Sequence, residues 1–251
     1  GCTNNCSITV FKFPNGKRCF SGNKCEKVFS NNPETQRRGD NIFDYKRERL
    51  FASSNVKPIH PRMRIGIPRA LSIFENFPFW QALFSNVDIE VVLSSVSSSK
   101  LYEKGAGSIM SDNICFPAKL SHGHVVDLIE KGVDRIFYPF VLFEQKEFKH
   151  SHNCYNCPIV TGYSEVLKNI NTSVPFDAPA FNFNDKKLTT KACVEYLVSL
   201  GIKRAIALNA VKEAFEAQRR YKNDILTENN RIYLKARQSH TPVILLAGHP
   251  Y

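Results

Sequence analysis

No apolar run in this 251-residue chain approaches the roughly 18–20 residues that cross a bilayer. The best late run, Val243–Ala247, has only the length of a strand. No cleavable leader pattern is visible, and no repeat of solenoid period recurs. The chain holds no P-loop, no G-x-G-x-x-G and no G-x-S-x-G, so ATP hydrolysis and nicotinamide binding find no support. No side chain stands out as a general acid or base, so a complete catalytic cycle within this chain is not expected, and whether it is an enzyme stays open. Against these absences, 43% hydrophobic and 23% charged residues are ordinary globular usage, which excludes global disorder and collagen-like structure.

The charge is uneven. The formal net charge is +11, and residues 1–64 carry 13 Lys/Arg against 5 Asp/Glu, so most of the excess lies in the N-terminal quarter. A basic segment of this kind suits nucleic acid, an acidic protein or a phosphorylated ligand, and equally a solvated surface. Eight cysteines in a long chain without an export signal, four of them within the first 25 residues, favour a reducing compartment, hence the cytoplasm, and metal or cluster ligation over disulfides.

The pattern divides at residues 30 and 62. Residues 1–30 read as a small cysteine-rich β knuckle, with Ser7–Phe13 as a strand, Pro14-Asn15-Gly16 as a hairpin turn and Arg18-Cys19-Phe20 as the return. Residues 31–62 read as a basic connector with a short helix at Lys46–Phe51. From residue 63 to 251 strands and helices alternate. Strands are expected at Arg64–Ile67, Ile89–Ser94, Asp134–Val141, Ala178–Asn182 and Val243–Ala247. Helices are expected at Ala70–Asn86, Lys100–Lys104, Pro117–Gly132, Ser164–Ile170 and Lys186–Leu200, and Lys203–Gln238 reads as one long helix or two. Pro78 should kink or restart its helix, and Gly132 should serve as a C-terminal stop. The fold class is α/β: a Rossmann-like, mostly parallel sheet with flanking helices. Ligands of such sheets gather beyond the carboxyl ends of the strands, where Pro68-Arg69, Ser94-Ser95, the Cys115 loop, Pro139–Phe143 and the Cys154/Cys157 loop would share a rim.

Two cysteine groups carry the chemistry. Cys2, Cys6, Cys19 and Cys25 could converge where a knuckle folds its ends together, closing a tetrahedral zinc site or holding a cubane iron–sulfur cluster. Unrelated free thiols are the alternative. Cys115, just before a helix, and Cys154-x-x-Cys157, before another helical piece, could hold a cluster with one open iron position. A buried Cys115 with an incidental C-x-x-C is the plainer reading. His122 and His124 read as satisfied helix histidines, His150 and His152 as loop residues without a template, and Glu75 as a surface acid.

Several blocks together resemble a known family. They are Ile65-Gly66-Ile67-Pro68-Arg69-Ala70-Leu71, Phe74-Glu75-Asn76-Phe77-Pro78-Phe79-Trp80, Val92-Leu93-Ser94, Cys115-Phe116-Pro117-Ala118-Lys119-Leu120 with His122-Gly123-His124, Phe137-Tyr138-Pro139 and Asn156-Cys157-Pro158-Ile159-Val160. They resemble the acyl-CoA dehydratase activase-related proteins, whose uncharacterised domain is distantly similar to 2-hydroxyacyl-CoA dehydratase subunits. Cys2–Cys6 and Ser21–Glu26 resemble the cysteine-rich segment that precedes that domain, and Leu246–Tyr251 resembles an Ala-Gly-Arg-Pro-Tyr block with His249 in place of arginine.

The resemblance implies a [4Fe-4S] cluster and electron relay or reductive activation, coupled to a separate activase-type ATPase module and an acyl-CoA dehydratase-like subunit. It implies Cys115 and Cys157 as cluster ligands, with Cys2, Cys6 and Cys25 at the N-terminal site, where zinc is the other choice. Family members often carry a cysteine where this chain has Phe140, and Cys154 could substitute. The family also places a cysteine just upstream of Gly1, a role Cys19 could fill. Arg69 and Lys119, near strand and helix ends, are candidates to hold an anionic ligand or cluster. The missing initial Met, ATPase modules and second Rossmann-like half make the chain read as incomplete at both ends. The rival readings are a zinc-stabilised binding module contacting an acidic partner or, less favoured, nucleic acid, and a non-functional fragment.

Overall fold

The computed structural model describes residues 8–21, 39–52, 58–170 and 173–249. The chain divides into two compact units, residues 1–41 and 42–251. In the first, β1 (Thr9–Lys12) and β2 (Arg18–Ser21) form an antiparallel hairpin that pairs Thr9 with Ser21 and Lys12 with Arg18. Gly16, at φ +78°, supplies the left-handed turn residue between them. The hairpin is the expected one.

The second unit runs α1 (Ile42–Phe51), β3 (Met63–Ile67), α2 (Ile73–Ser85), β4 (Ile89–Leu93), α3 (Ser99–Gly105), α4 (Phe116–Glu130), β5 (Arg135–Phe137), β6 (Phe140–Phe143), α5 (Pro158–Lys168), β7 (Phe176–Asp177), β8 (Ala180–Asn182), α6 (Lys186–Ser199) and α7 (Arg204–Gln238). Four strands form a sheet in the order β4-β3-β5-β7, every neighbouring pair parallel. This is the expected α/β fold with a parallel sheet and flanking helices.

β6 and β8 pair in parallel beyond the ends of β5 and β7. Tyr138 N–H donates to Asp177 O (2.9 Å) and Phe140 N–H to Pro179 O (3.0 Å), so the ladder runs on through the gap. The breaks fall at Pro139 and Pro179, which have no N–H to give. The single strand expected over 134–141 is therefore two.

Right-handed crossovers sort the helices between the two faces. The step from β3 to β4 runs one way along the sheet; the steps from β4 to β5 and from β5 to β7 run the other way. Accordingly α2 packs with α1 and α7, and α6 packs with α7, while α4 packs with α3 and α5. Between α3 and α4 there is no room for a side chain: a Cβ on Gly123 would strike the Leu101 carbonyl, and one on Gly105 would strike the backbone at Gly123.

α2 lies between the sheet and α7 and is buried almost all round: Phe77, Phe79, Trp80, Leu83 and Phe84 have no exposed surface. Trp80 meets Phe137 at 5.0 Å and Phe181 at 4.8 Å between ring centroids, and Phe79 meets Phe183 at 5.2 Å and Phe215 at 5.0 Å, mostly edge to face. These aromatic contacts join both strand pairs to α2 and α7.

Pro78 sits inside α2 without ending it. A proline ring pushes the preceding turn open and weakens the bond that follows it. Here that bond, Phe79 N–H to Glu75 O, is spanned by a side chain from α7. Gln218 Oε1 accepts from Phe79 N–H (3.2 Å) and Gln218 Nε2 donates to Glu75 O (2.9 Å). One amide thus meets both backbone groups of the turn at Pro78.

The pattern at Lys203–Gln238 is one helix of 35 residues from Arg204 rather than two. One expectation changes: Val243–Ala247 is not a strand. Val243, Ile244, Leu245 and Leu246 are all largely exposed, Leu245 at 92%. Apolar β-branched composition favours a strand only where an edge exists to pair with, and no described strand lies beside this segment. Within the connector region, α1 packs on α2 and α7. No described helix is long and apolar enough to cross a membrane.

Gln218→Leu should cost about 3 kcal/mol in urea-induced unfolding, because it strands a buried donor and acceptor. A variant within about 0.5 kcal/mol of the parent would show that α2 closes its own bond.

Candidate functional site

A parallel strand followed by a short return obliges each helix to run against the sheet. α4 enters β5 through only Lys131–Asp134, and α5 leads on to β7. Both helices therefore start at the carboxyl rim of the strands, and both start at a cysteine. Cys115 caps α4 at φ −62°, ψ 149°, and Cys157 caps α5 at φ −63°, ψ 151°. Each has proline at N1 or N2, where the missing N–H costs nothing. Cys157 Sγ accepts from Val160 N–H at 3.4 Å, whereas Cys115 makes no side-chain cap bond. Both thiols are exposed.

The two helices are clamped together below these caps. His122 Nε2 lies 2.8 Å from Tyr163 Oη, and His122 Nδ1 lies 2.8 Å from Ser108 Oγ. Ser108 gives its own proton to Gly105 O (2.9 Å). His122 therefore donates from Nδ1, and Tyr163 donates to Nε2. Burial lowers the basicity of His122, consistent with a neutral ring, and raises the Tyr163 phenol pKa, with the Cys115 charge acting in the same direction. His122 is seven residues from Cys115 and Tyr163 is six from Cys157, so the bond joins both helices about two turns from their caps.

Cys154 is half-buried and lies on the segment that returns along β6. Glu144 N–H donates to Cys154 O (2.9 Å), Asn156 N–H donates to Leu142 O (3.3 Å), and Phe143 bridges Tyr155. The Glu144 carboxylate fastens this segment to α2, accepting from Asn76 Nδ2 (2.8 Å) and Asn156 Nδ2 (2.9 Å). Burial is the largest influence on Glu144 and raises its pKa against those two bonds. Asn76 and Asn156 both belong to the recognisable sequence blocks, yet nothing local pointed to Glu144 as their meeting point.

On the same rim, Ser94 Oγ accepts from Arg69 N–H (2.7 Å) and bonds His124 Nδ1 (2.7 Å), and Ser97 Oγ bonds His124 Nε2 (3.0 Å). Asp127 accepts from Ser95 N–H (2.7 Å) and pairs with Lys131 and Lys104. Burial alone would raise the Asp127 pKa, but the bonds from Lys131 and Ser95 overcome it and hold the carboxyl down at about 2. His124 has no exposed surface, and burial outweighs the nearby Asp127 to push its imidazole down to about 4. Both helix histidines are thus hydrogen-bonded core groups, as their pattern indicated.

The other expected residues are more scattered. Lys119 Nζ donates to Asp112 O (2.8 Å), bracing the loop that leads to Cys115. Arg69 is half-buried over the Phe51 ring. His150 and His152 are exposed, and Glu75 is half-buried with its carbonyl held by Gln218. Cys19 is an exposed residue of β2 opposite Phe11. Cys2, Cys6 and Cys25 lie outside the described residues. Cys193, buried in α6 with its thiol pKa raised, is a core residue. Among the described residues no three His, Cys, Asp or Glu side chains gather closely enough to hold a metal ion. Two open clefts follow the β7 edge, lined by Lys168, Phe176 and Tyr196 among others, and neither contains a cysteine.

Residues 64–251 match the family model described as the CoA enzyme activase uncharacterised domain. No curated protein and no solved structure shows a match.

The buried His124 gives a pH prediction. Its ordinary pKa of 6.5 falls to about 4 in the fold. As the pH drops from about 6.5 to about 4, the unfolded chain therefore takes up a proton that the folded one refuses, and stability falls. In His124→Gln, the loss of unfolding free energy across that window should be smaller by on the order of 3 kcal/mol. Equal acid slopes in parent and variant would place the titrating group elsewhere.

Proposed function

The chain belongs to the family of the CoA enzyme activase uncharacterised domain, and on that premise we propose that its α/β unit is an iron–sulfur module serving electron relay or reductive activation. Cys115 and Cys157 are its ligands at the carboxyl rim. The observation that carries the reading is their matched placement, two exposed thiols capping neighbouring parallel helices with nearly the same backbone angles.

The described residues fit such a group in part. They offer two exposed thiols at helix starts, and no three metal-capable side chains among them gather into one site. The remaining positions are left to ligands from outside the described residues or to movement of the Cys154 segment. Bound there, a [4Fe-4S] cluster would supply one-electron chemistry tuned by burial and hydrogen bonding. The chain's own groups do the rest. The helix starts present both thiols to solvent, the His122–Tyr163 bond ties the two helices together below the caps, and Glu144 with Asn156 sets the approach of the Cys157 loop. A second centre at Cys2, Cys6, Cys19 and Cys25, iron–sulfur or zinc, rests on sequence alone. The partners of this reading are a separate activase-type ATPase module and a dehydratase-like subunit acting on an acyl-CoA, in the reducing cytoplasm.

Anaerobic reconstitution of the full chain with iron and sulfide should give a brown protein absorbing at about 400 nm. Cys115→Ser and Cys157→Ser should each remove at least about half of that absorbance, with matching loss of iron and sulfide. Undiminished spectra in both variants, or a colourless protein holding zinc alone, would overturn the assignment.

A further inference from the structure

The loop between β3 and α2 holds polar groups that the described fold leaves unused. Ala70 N–H donates to Pro68 O and Ile73 N–H to Ala70 O, but the N–H groups of Leu71 and Ser72 have no acceptor among the described residues. Both residues are buried, with 1% and 4% of their surface exposed. Ser72 Oγ is also buried and unpaired, and so is Arg69 Nε. Four donors on three residues of the Arg69–Ser72 stretch are therefore without partners, where a native fold ordinarily leaves few.

Their conformation gives the cluster a direction. Leu71 has φ +47°, a left-handed value that a leucine adopts only under constraint, and Ser72 follows at φ −57°, ψ −20°. A left-handed residue followed by a right-handed one turns successive amides toward a common point, an anion-binding concavity. Arg69 adds the charge. Its guanidinium lies 4.6 Å from the Phe51 ring centroid and pairs with no carboxylate among the described residues. Burial lowers its basicity, as expected of a cation lacking a counter-ion. Because the ring occupies one face of the guanidinium, its in-plane N–H donors are the groups left to meet a ligand.

The place in the topology is also suited to a ligand. In the order β4-β3-β5-β7, the connections leaving β3 and β5 go to opposite faces, so the ends of these strands form the switch point where open α/β sheets bind ligands.

We propose that Pro68–Ser72 is an oxyanion site for a small ligand bearing a phosphate or carboxylate group. The Leu71 and Ser72 amides and the Ser72 hydroxyl cradle its oxygens, and Arg69 supplies the counter-charge. No cysteine takes part, so the site stands independently of the iron–sulfur reading.

The test is a titration of the full chain with inorganic phosphate, chloride balancing the ionic strength, followed by melting temperature and by phosphorus NMR line width. A parallel titration with malonate separates phosphate from carboxylate recognition. The expected result is saturable stabilisation by at least one oxyanion and none by chloride. Arg69→Gln should weaken that binding by about tenfold or more, and Ser72→Ala by less. If Arg69→Gln does not fold, Arg69→Lys keeps the charge but loses the planar fork and should still weaken binding. An unsaturable response in the parent chain, or undiminished binding in the folded Arg69 variant, would overturn the proposal.

Discussion

The parallel direction of β4, β3, β5 and β7 is the constraint on which the rest of the second unit depends. Strands that run the same way must be joined by helices that run back, so the helix starts collect at one rim whatever their sequences. That geometry brings Cys115 to the same end of the sheet as Cys157 although 42 residues separate them in the chain. It brings the Ser94–Ser98 loop and Pro68–Ser72 there too. A sheet covered on both faces also explains the β-branched, nearly unbroken apolar reading of Ile65–Ile67 and Ile89–Leu93.

α4 carries an unusual load of buried polar groups for one helix: Ser121, His122, His124 and Asp127. In a low-dielectric setting such groups stabilise only when each has its partners. The partners come from three different segments. Ser108 and Tyr163 meet His122, Ser94 and Ser97 meet His124, and Ser95 with two lysines meets Asp127. α4 is thereby fixed in register against the loop after β4 and against α5. A helix start that must present a thiol in one position benefits from that fixing more than from a wholly apolar face, which could slide.

The sequence was most legible where a pattern is local and repeats. β3, β4, α3, α4 and α6 follow from periodicity, and Gly132, at φ +65°, stops α4 as its position indicated. The placing of Cys115 and Cys157 before helices was readable from Pro117 and Pro158. Less was readable where structure depends on distant pairing. β7 is two residues long and sits between Pro175 and Pro179, so it has no periodicity to detect. The start of α5 was set six residues too late, although Ile159, Val160 and Tyr163 already keep the helical spacing of Val166 and Leu167; the β-branched Ile159-Val160-Thr161 run followed by Gly162 is weak helix-forming composition that masks it. Gln218, Glu144 and the Leu71–Ser72 turn had no local signal at all. Their roles come from a side-chain bond across the core, a contact between loops and a backbone angle, none of which is written in residue type. Val243–Ala247 shows the converse, strand composition without a strand.

α7 continues well past the body that holds it. Its last buried residue is Tyr221, and from Leu226 to Gln238 no side chain is buried. At 1.5 Å per residue those thirteen residues measure about 20 Å. That length receives little from tertiary contact and depends on intrahelical bonds and on pairs such as Arg231 with Glu228. Leverage follows from that length: any rotation about the base near Gln218, which bonds the Pro78 turn of α2, would be magnified toward Gln238, twenty residues or about 30 Å further along the axis.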